Sequence, residues 1–373
     1  MAGIYIHFPF CKQACHYCDF HFTTSLQYKD ELLQSLVKEI RLQKNYLSGE
    51  LIETIYFGGG TPSLLNVEEL NLLIGTITGL HTVSSAVEIT VEANPDDLNK
   101  AKLQALLKTG INRFSIGVQS FFDEDLVWMN RVHRGDEAEA AVKRTQDAGF
   151  ENITLDLIYG YPLLSDQKWK YNLDKLIELG VPHLSSYAMT AEPQTALASF
   201  IKNKKQPAMD DQQSAEQFIL LMDAMEMHGF EHYEISNFCK PGNYSKHNSN
   251  YWKGVKYLGI GPSAHSYNGK TRQWNAANNA KYIQGLQTGI IPAETELLTE
   301  NNRLNEYIMT SLRTMWGLDL NKLNSISTAA SDQLNRSALK FYENGWIDQK
   351  DSTIYLTQTG KLFADSIALG LFF

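Results

Sequence analysis

Short apolar runs alternate with amphipathic stretches along the first half of the chain. Ile4–Phe8, Ile52–Phe57, Val87–Val91, Phe114–Val118, Ile153–Ile158 and Leu184–Ala188 each have the length and composition of a strand. Between them lie segments with helical patterning: Gln27–Leu47, a stretch starting at Val67, Asn99–Thr109, Asp136–Ala148 and Asp166–Leu179. Asn66, with Glu69 three residues on, predicts the N-cap of the second helix. Strands alternating with helices of this length predict βαβ units and a parallel sheet. Six such units predict an α/β fold of the incomplete (β/α)6 TIM-like barrel kind.

The pattern then changes. Thr190–Gln212 is polar and reads as irregular, Asp211–Met227 as a helix and His232–Ile235 as a strand. Asn237–Gly269, rich in Gly, Asn, Ser and aromatics, reads as a packed loop region. Beyond Ala293 the sequence predicts helices at Asn302–Met315, Asp319–Leu323, Ser331–Asn344 and Thr359–Ala368. Strands at Trp346–Ile347 and Ile354–Leu356 flank a polar turn. Helices followed by a small wing predict a winged-helix-like C-terminal domain. The expected division is a barrel over 1–270, a connecting segment over 271–295 and the C-terminal domain over 296–373.

The 373 residues carry a net charge of −9, so the chain lacks the basic field of a non-specific nucleic-acid binder. The C-terminal segment has no basic helix face, which argues against DNA binding there. No apolar run is long enough to span a bilayer, so no integral membrane span is expected. The tail Ile367–Phe373 reads as a docked terminal turn, and Met1–Phe10 lacks the basic start of a signal peptide. The expected compartment is the cytoplasm.

Of four cysteines, Cys11, Cys15 and Cys18 fall within eight residues as C-x3-C-x2-C. Thiolates are the preferred ligands of iron–sulfur clusters, and three of them on a 4Fe–4S cube leave one iron open to a substrate. The alternative is a zinc site with His7, His16 or Cys239 as fourth ligand, although C-x2-C pairs dominate zinc sites. The glycines of Gly58–Pro62, Gly-Gly-Gly-Thr-Pro, end the second strand abruptly and let backbone approach a ligand closely.

A three-cysteine loop after the first strand, followed by a strand ending in Gly-Gly-Gly-Thr-Pro, resembles the radical S-adenosylmethionine (SAM) superfamily. The resemblance implies SAM bound at the open iron of a 4Fe–4S cluster. Further segments are similar to the oxygen-independent coproporphyrinogen oxidase group: Tyr5–Cys11, Glu92–Pro95, Ser115–Ser120, Asn130-Arg131 and Asp156–Gly160. That group's SAM contacts, carried onto matching positions, are Tyr5, Tyr17, Gly59, Gly60, Thr61, Glu92, Gln119, Arg131 and Asp156. Several lie at the C-terminal ends of predicted strands, where barrel active sites form.

Two features depart from the oxidases. Phe20 stands where they carry another cysteine, and the first strand begins at about residue 4, whereas they carry a segment ahead of it. Both match a sister subgroup, the HemW-type heme chaperones, whose mark is His-Asn-x-x-Tyr-Trp. Here it runs from His247 to Trp252. The resemblance implies heme as a third bound group, with His247 as its iron ligand. Tyr251 and Trp252 would stack on the macrocycle, and Asn248 would fix the imidazole tautomer. His265 is the runner-up ligand. The implied function is binding heme and delivering it to recipient apo-hemoproteins, with homodimerisation left open. One alternative is SAM-dependent oxidative decarboxylation of coproporphyrinogen III. Another is a radical methylase or methylthiolase of nucleic acids, against which the acidic balance argues.

Overall fold

The computed structural model describes residues 1–328 and 330–373. The six strands predicted first are present as β1 (Ala2–Phe8), β2 (Ile52–Gly59), β3 (Val83–Ala93), β4 (Arg113–Gln119), β5 (Ile153–Tyr159) and β6 (His183–Ala188). They are followed by β7 (Glu231–Glu234), β8 (Asn237–Cys239), β9 (Lys256–Ile260), β10 (His265–Tyr267), β11 (Thr271–Asn275) and β12 (Ala293–Leu297). All twelve form one open sheet in the order β12-β11-β10-β9-β1-β2-β3-β4-β5-β6-β8-β7. The run from β9 through β6 is parallel, and both flanks are antiparallel. The expected incomplete barrel is therefore there, with one more parallel strand than the six units provide.

The strands β3 and β4 alternate in polarity. In β4, Phe114, Ile116 and Val118 join the apolar core beneath the helices, while Arg113, Ser115, Gly117 and Gln119 face the inner cavity. In β3, Ile89, Val91 and Ala93 pack outward while Thr90 and Glu92 line the cavity, although Ala93 also touches its rim. A period of two thus buries one face against helices and leaves the other as a polar lumen.

Two stretches differ from expectation. Asn237–Gly269 holds β8, the helix Lys246–Trp252, β9 and β10 rather than loop. β9 has few strand-forming residues and exists because β1 offers a free edge, a partner far away in sequence. Thr190–Gln212 contains the helix Ala196–Lys202, whose N-cap Thr195 accepts from the Ala198 N–H. The 271–295 stretch is folded: β11 and β12 continue the sheet, and Tyr282 of the helix Asn279–Gln287 is fully buried. Buried Glu39 secures this side, accepting from Gly261 N at 2.8 Å, Asn275 Nδ2 at 2.7 Å and Gln43 Nε2 at 2.9 Å.

The C-terminal residues form a second core around Leu304, Ile308, Leu334, Phe341, Ile354 and Ile367. The two expected strands, β14 (Ile347–Lys350) and β15 (Thr353–Leu356), gain a short third one, β13 (Leu318–Asp319), paired with β15. This unit docks on β7: Ile235 N donates to Arg313 O at 3.0 Å, and Met315 N to Tyr233 O at 3.0 Å. The tail is tied down by Phe373 N donating to Asn305 Oδ1 at 2.7 Å. Among the described residues no helix is long and apolar enough to cross a membrane.

Candidate functional site

The cysteine loop leaves the C-terminal end of β1 and is gripped from across the barrel. Gln13 Nε2 donates to Asn130 Oδ1 at 2.6 Å, and Asn130 Nδ2 donates to Ala14 O at 2.7 Å. His16 N reaches Met129 O at 3.1 Å. Asn130 holds φ at +61°, a conformation that Asn tolerates better than most residues. Arg131, next in sequence, donates to Asn94 Oδ1 and to Gly117 O, each at 2.7 Å, and lies 3.5 Å from Cys15 Sγ.

Of the alternative fourth ligands of a zinc site, His7 and Cys239 are held elsewhere. His7 engages both ring nitrogens, with Tyr5 OH at 3.2 Å and His21 O at 2.8 Å. Cys239 lies in β8 opposite β6, and His16, whose Nδ1 bonds Trp128 O at 2.8 Å, keeps Nε2 unbonded among the described residues. Among the described residues no three His, Cys, Asp or Glu side chains converge on a single ion. A cubane asks for something else: three thiolates spread around one loop, each meeting a different iron.

Cys11, Cys15 and Cys18 open onto a cavity of about 340 Å3 that runs down the lumen. Tyr17, Gly59, Gly60, Thr61, Glu92, Gln119, Arg131 and Asp156 all contribute to its wall. The sequence brought nine residues forward as SAM contacts, and the fold gathers eight of them around one space. Tyr5 is the exception: it does not line the cavity and packs its ring against Tyr56 at 6.0 Å. At Gly59, φ is +105° and a Cβ would come within 2.5 Å of the His7 ring, so the motif's glycine is obligatory. The buried Arg131 Nε has no hydrogen-bond partner among the described residues, a donor left for a ligand. Burial pushes the Glu92 carboxyl up to about 7, against the bonds from Tyr56 and Gly59 that favour its charged form. Burial likewise raises Asp156 to about 6, opposed by the Ser115 hydroxyl. These carboxyls, the free arginine donor and the thiols suit a small zwitterionic ligand that carries hydroxyls and a cationic centre.

His247 sits elsewhere, near the N-terminal ends of β1 and β2. It rides on the helix Lys246–Trp252, capped by Ser245. Glu88 accepts the backbone N–H groups of Lys246 and His247, both at 3.1 Å, so a carboxylate satisfies two donors at a helix start. The His247 ring stacks on Tyr56 at 4.9 Å, and Nδ1 bonds Thr54 Oγ1 at 2.9 Å. Gly3 makes the room: a Cβ there would stand 2.7 Å from Thr54 Oγ1 and 3.4 Å from the imidazole. Burial drops the His247 pKa to about 4, so the ring is neutral. Nε2 makes no hydrogen bond among the described residues.

Comparison with known proteins places this geometry. Residues 5–190 match the Radical SAM superfamily, and residues 298–363 match the HemN C-terminal domain. The chain is 36% identical over 371 residues to the heme chaperone HemW of Bacillus subtilis, covering 98% of both chains. It is 30% identical over 375 residues to the HemW of Escherichia coli, covering 98% of this chain and 96% of that one. The chain belongs to the HemW family of radical SAM proteins. The coproporphyrinogen III oxidase HemN of Escherichia coli superposes with a TM-score of 0.86 at 23% identity, over 99% of this chain and 89% of that one. At that identity the likeness speaks to fold alone.

Within this HemW-family chain, one expectation about the histidine motif changes. The partner of His247 Nδ1 is Thr54, on a neighbouring strand, and not Asn248, whose side chain faces the cavity. Trp252 has Tyr251 edge-on at 5.1 Å and the Arg313 guanidinium over its ring at 5.2 Å. Thr54, Tyr56 and Glu88 escaped the sequence reading. The polar alternation of β2 and β3 is the signal that pointed inward to them.

Proposed function

We propose that this chain is a heme chaperone: it ligates heme iron through His247 Nε2 and hands heme to recipient apo-hemoproteins. The observation carrying this reading is a neutral imidazole held by Thr54 at Nδ1 with Nε2 unbonded: in the tautomer that donates from Nδ1 to Thr54 Oγ1, Nε2 keeps its lone pair for a metal. Kinship with proteins named heme chaperones over nearly the whole chain supports it.

In the same reading Cys11, Cys15 and Cys18 hold a 4Fe–4S cluster. Tyr17, Gly59, Gly60, Thr61, Glu92, Gln119, Arg131 and Asp156 bind SAM beside it, with Tyr5 supporting Tyr56 from behind. When bound, the cluster supplies an open iron and an electron to SAM. This chain's residues do the rest: Arg131 binds the SAM carboxylate, Glu92 and Asp156 accept from its hydroxyls or amino group, and the glycines admit it. The working compartment is the cytoplasm, and the partners are heme and apo-hemoproteins rather than nucleic acid.

The test is a transfer assay. Protein prepared anaerobically with its cluster is loaded with heme and mixed with an apo-hemoprotein, and the recipient's Soret band is followed. Transfer that fails in His247→Ala is expected. Turnover of coproporphyrinogen III with SAM and a reductant would replace this reading with the oxidase. Gel filtration with and without the cluster reports whether the chain pairs with itself.

A further inference from the structure

One side chain touches both candidate sites. The Tyr56 ring stacks on His247 with centroids 4.9 Å apart and an interplanar angle of 28°. Its hydroxyl donates to Glu92 Oε1 at 2.8 Å, and Glu92 Oε2 accepts Gly59 N at 3.1 Å. Tyr56 also lines the cavity below the cysteine loop. A single phenol thus spans from the ligand-facing carboxylate of one site to the imidazole of the other. Neither the His-Asn-x-x-Tyr-Trp motif nor the glycine motif contains it.

We propose that Tyr56 links the two sites energetically, so that SAM bound at Glu92 tightens the binding of ferric heme at His247. The inference rests on the heme and SAM reading above. The sign follows from three steps. SAM brings its ammonium and sulfonium groups into the cavity, and a neighbouring cation keeps Glu92 as the anion. The Tyr56 O–H then donates to a full negative charge, a stronger bond that draws the proton away and leaves the ring richer in electrons. Iron pulls density out of the imidazole at Nε2, and an electron-poor ring stacks better on an electron-rich one. Linkage is reciprocal, so ferric heme must tighten SAM by the same factor.

The experiment is a heme titration of the cluster-loaded protein, followed by the Soret band, with and without saturating SAM. It is done without reductant so that SAM stays intact. The expected result is a roughly three- to tenfold lower heme Kd with SAM present, at the small end of measured site couplings. In Tyr56→Phe, which keeps the ring and removes the hydroxyl, the ratio of the two Kd values falls to one. The converse titration, SAM into protein with and without heme, must return the same factor in the unaltered chain, and this arm needs no variant. Equal heme Kd values with and without SAM in the unaltered protein overturn the proposal. A ratio that persists in Tyr56→Phe overturns it as well. Heme binding that survives unchanged in His247→Ala instead overturns the heme reading on which it rests.

Discussion

The two ends of the parallel strands solve different problems. At the C-terminal end, loops carry the chemistry: three thiols, a glycine cradle and an arginine clamped between Asn94 and Gly117. At the N-terminal end a helix slides beneath the sheet and seats one histidine, held by Thr54 and stacked on Tyr56. The first end is open, shaped by several strands around a shared cavity. The second is a close-packed seat for one imidazole, where even a methyl group on Gly3 would collide. One set of strands therefore carries both candidate sites, joined by a polar lumen.

The largest test of this contrast removes the thiols. Replacing Cys11, Cys15 or Cys18 singly with Ala abolishes the brown cluster absorbance of anaerobic preparations; retention in any one of them would break the proposed ligation. Next in size is the other end. His247→Ala weakens heme binding by about a hundredfold or more in a Soret titration, beyond the usual loss for an outer-shell group.

How far these sites could be read beforehand differs in the same way. Cys11, Cys15, Cys18 and Gly58–Pro62 are contiguous motifs, so local spacing carries their geometry. Glu92, Gln119 and Asp156 sit on strands whose apolar alternate residues announce them. His247 was legible as a residue but not as a place. Its helix rests in a stretch that reads as loop, and β9, which follows it, needs the far-off edge of β1 to become a strand. Thr54, the partner of His247, comes from a strand nearly 200 residues away, with |i−j| of 193, and no single-sequence pattern encodes that contact. The helix Ala196–Lys202 was missed for a related reason. Its role is to pack Phe200 edge-on against His16 of the cysteine loop at 5.0 Å, a tertiary gain that outweighs weak local patterning.

Smaller effects sharpen the comparison. Thr54→Val keeps the shape but removes the hydroxyl that pairs with Nδ1, and heme affinity falls roughly tenfold, as for other orienting partners of metal-bound histidines. The cluster spectrum of this variant stays as it was. The smallest expected effect is one of pH at the open end. Glu92 has its carboxyl raised to about 7, chiefly by burial, so it loses its proton as pH rises through neutrality. A cationic ligand gains from that charge. SAM affinity measured by equilibrium dialysis should therefore rise severalfold between about pH 6 and pH 8, within the tenfold that one coupled proton permits. In Glu92→Gln most of this rise is lost, leaving about the twofold that Asp156, raised to about 6, contributes over the same range, and a profile unchanged by the substitution would assign the titration to another group.

The most direct measurement crosses the two ends. Cys15→Ala and His247→Ala are prepared anaerobically side by side, and each is assayed for iron and sulfide and for heme binding. The account predicts a double dissociation: the cysteine variant loses the cluster and still binds heme, while the histidine variant keeps the cluster and loses heme. Loss of both groups from either variant would mean that heme and cluster share one site, and the assignment of separate ends would fall.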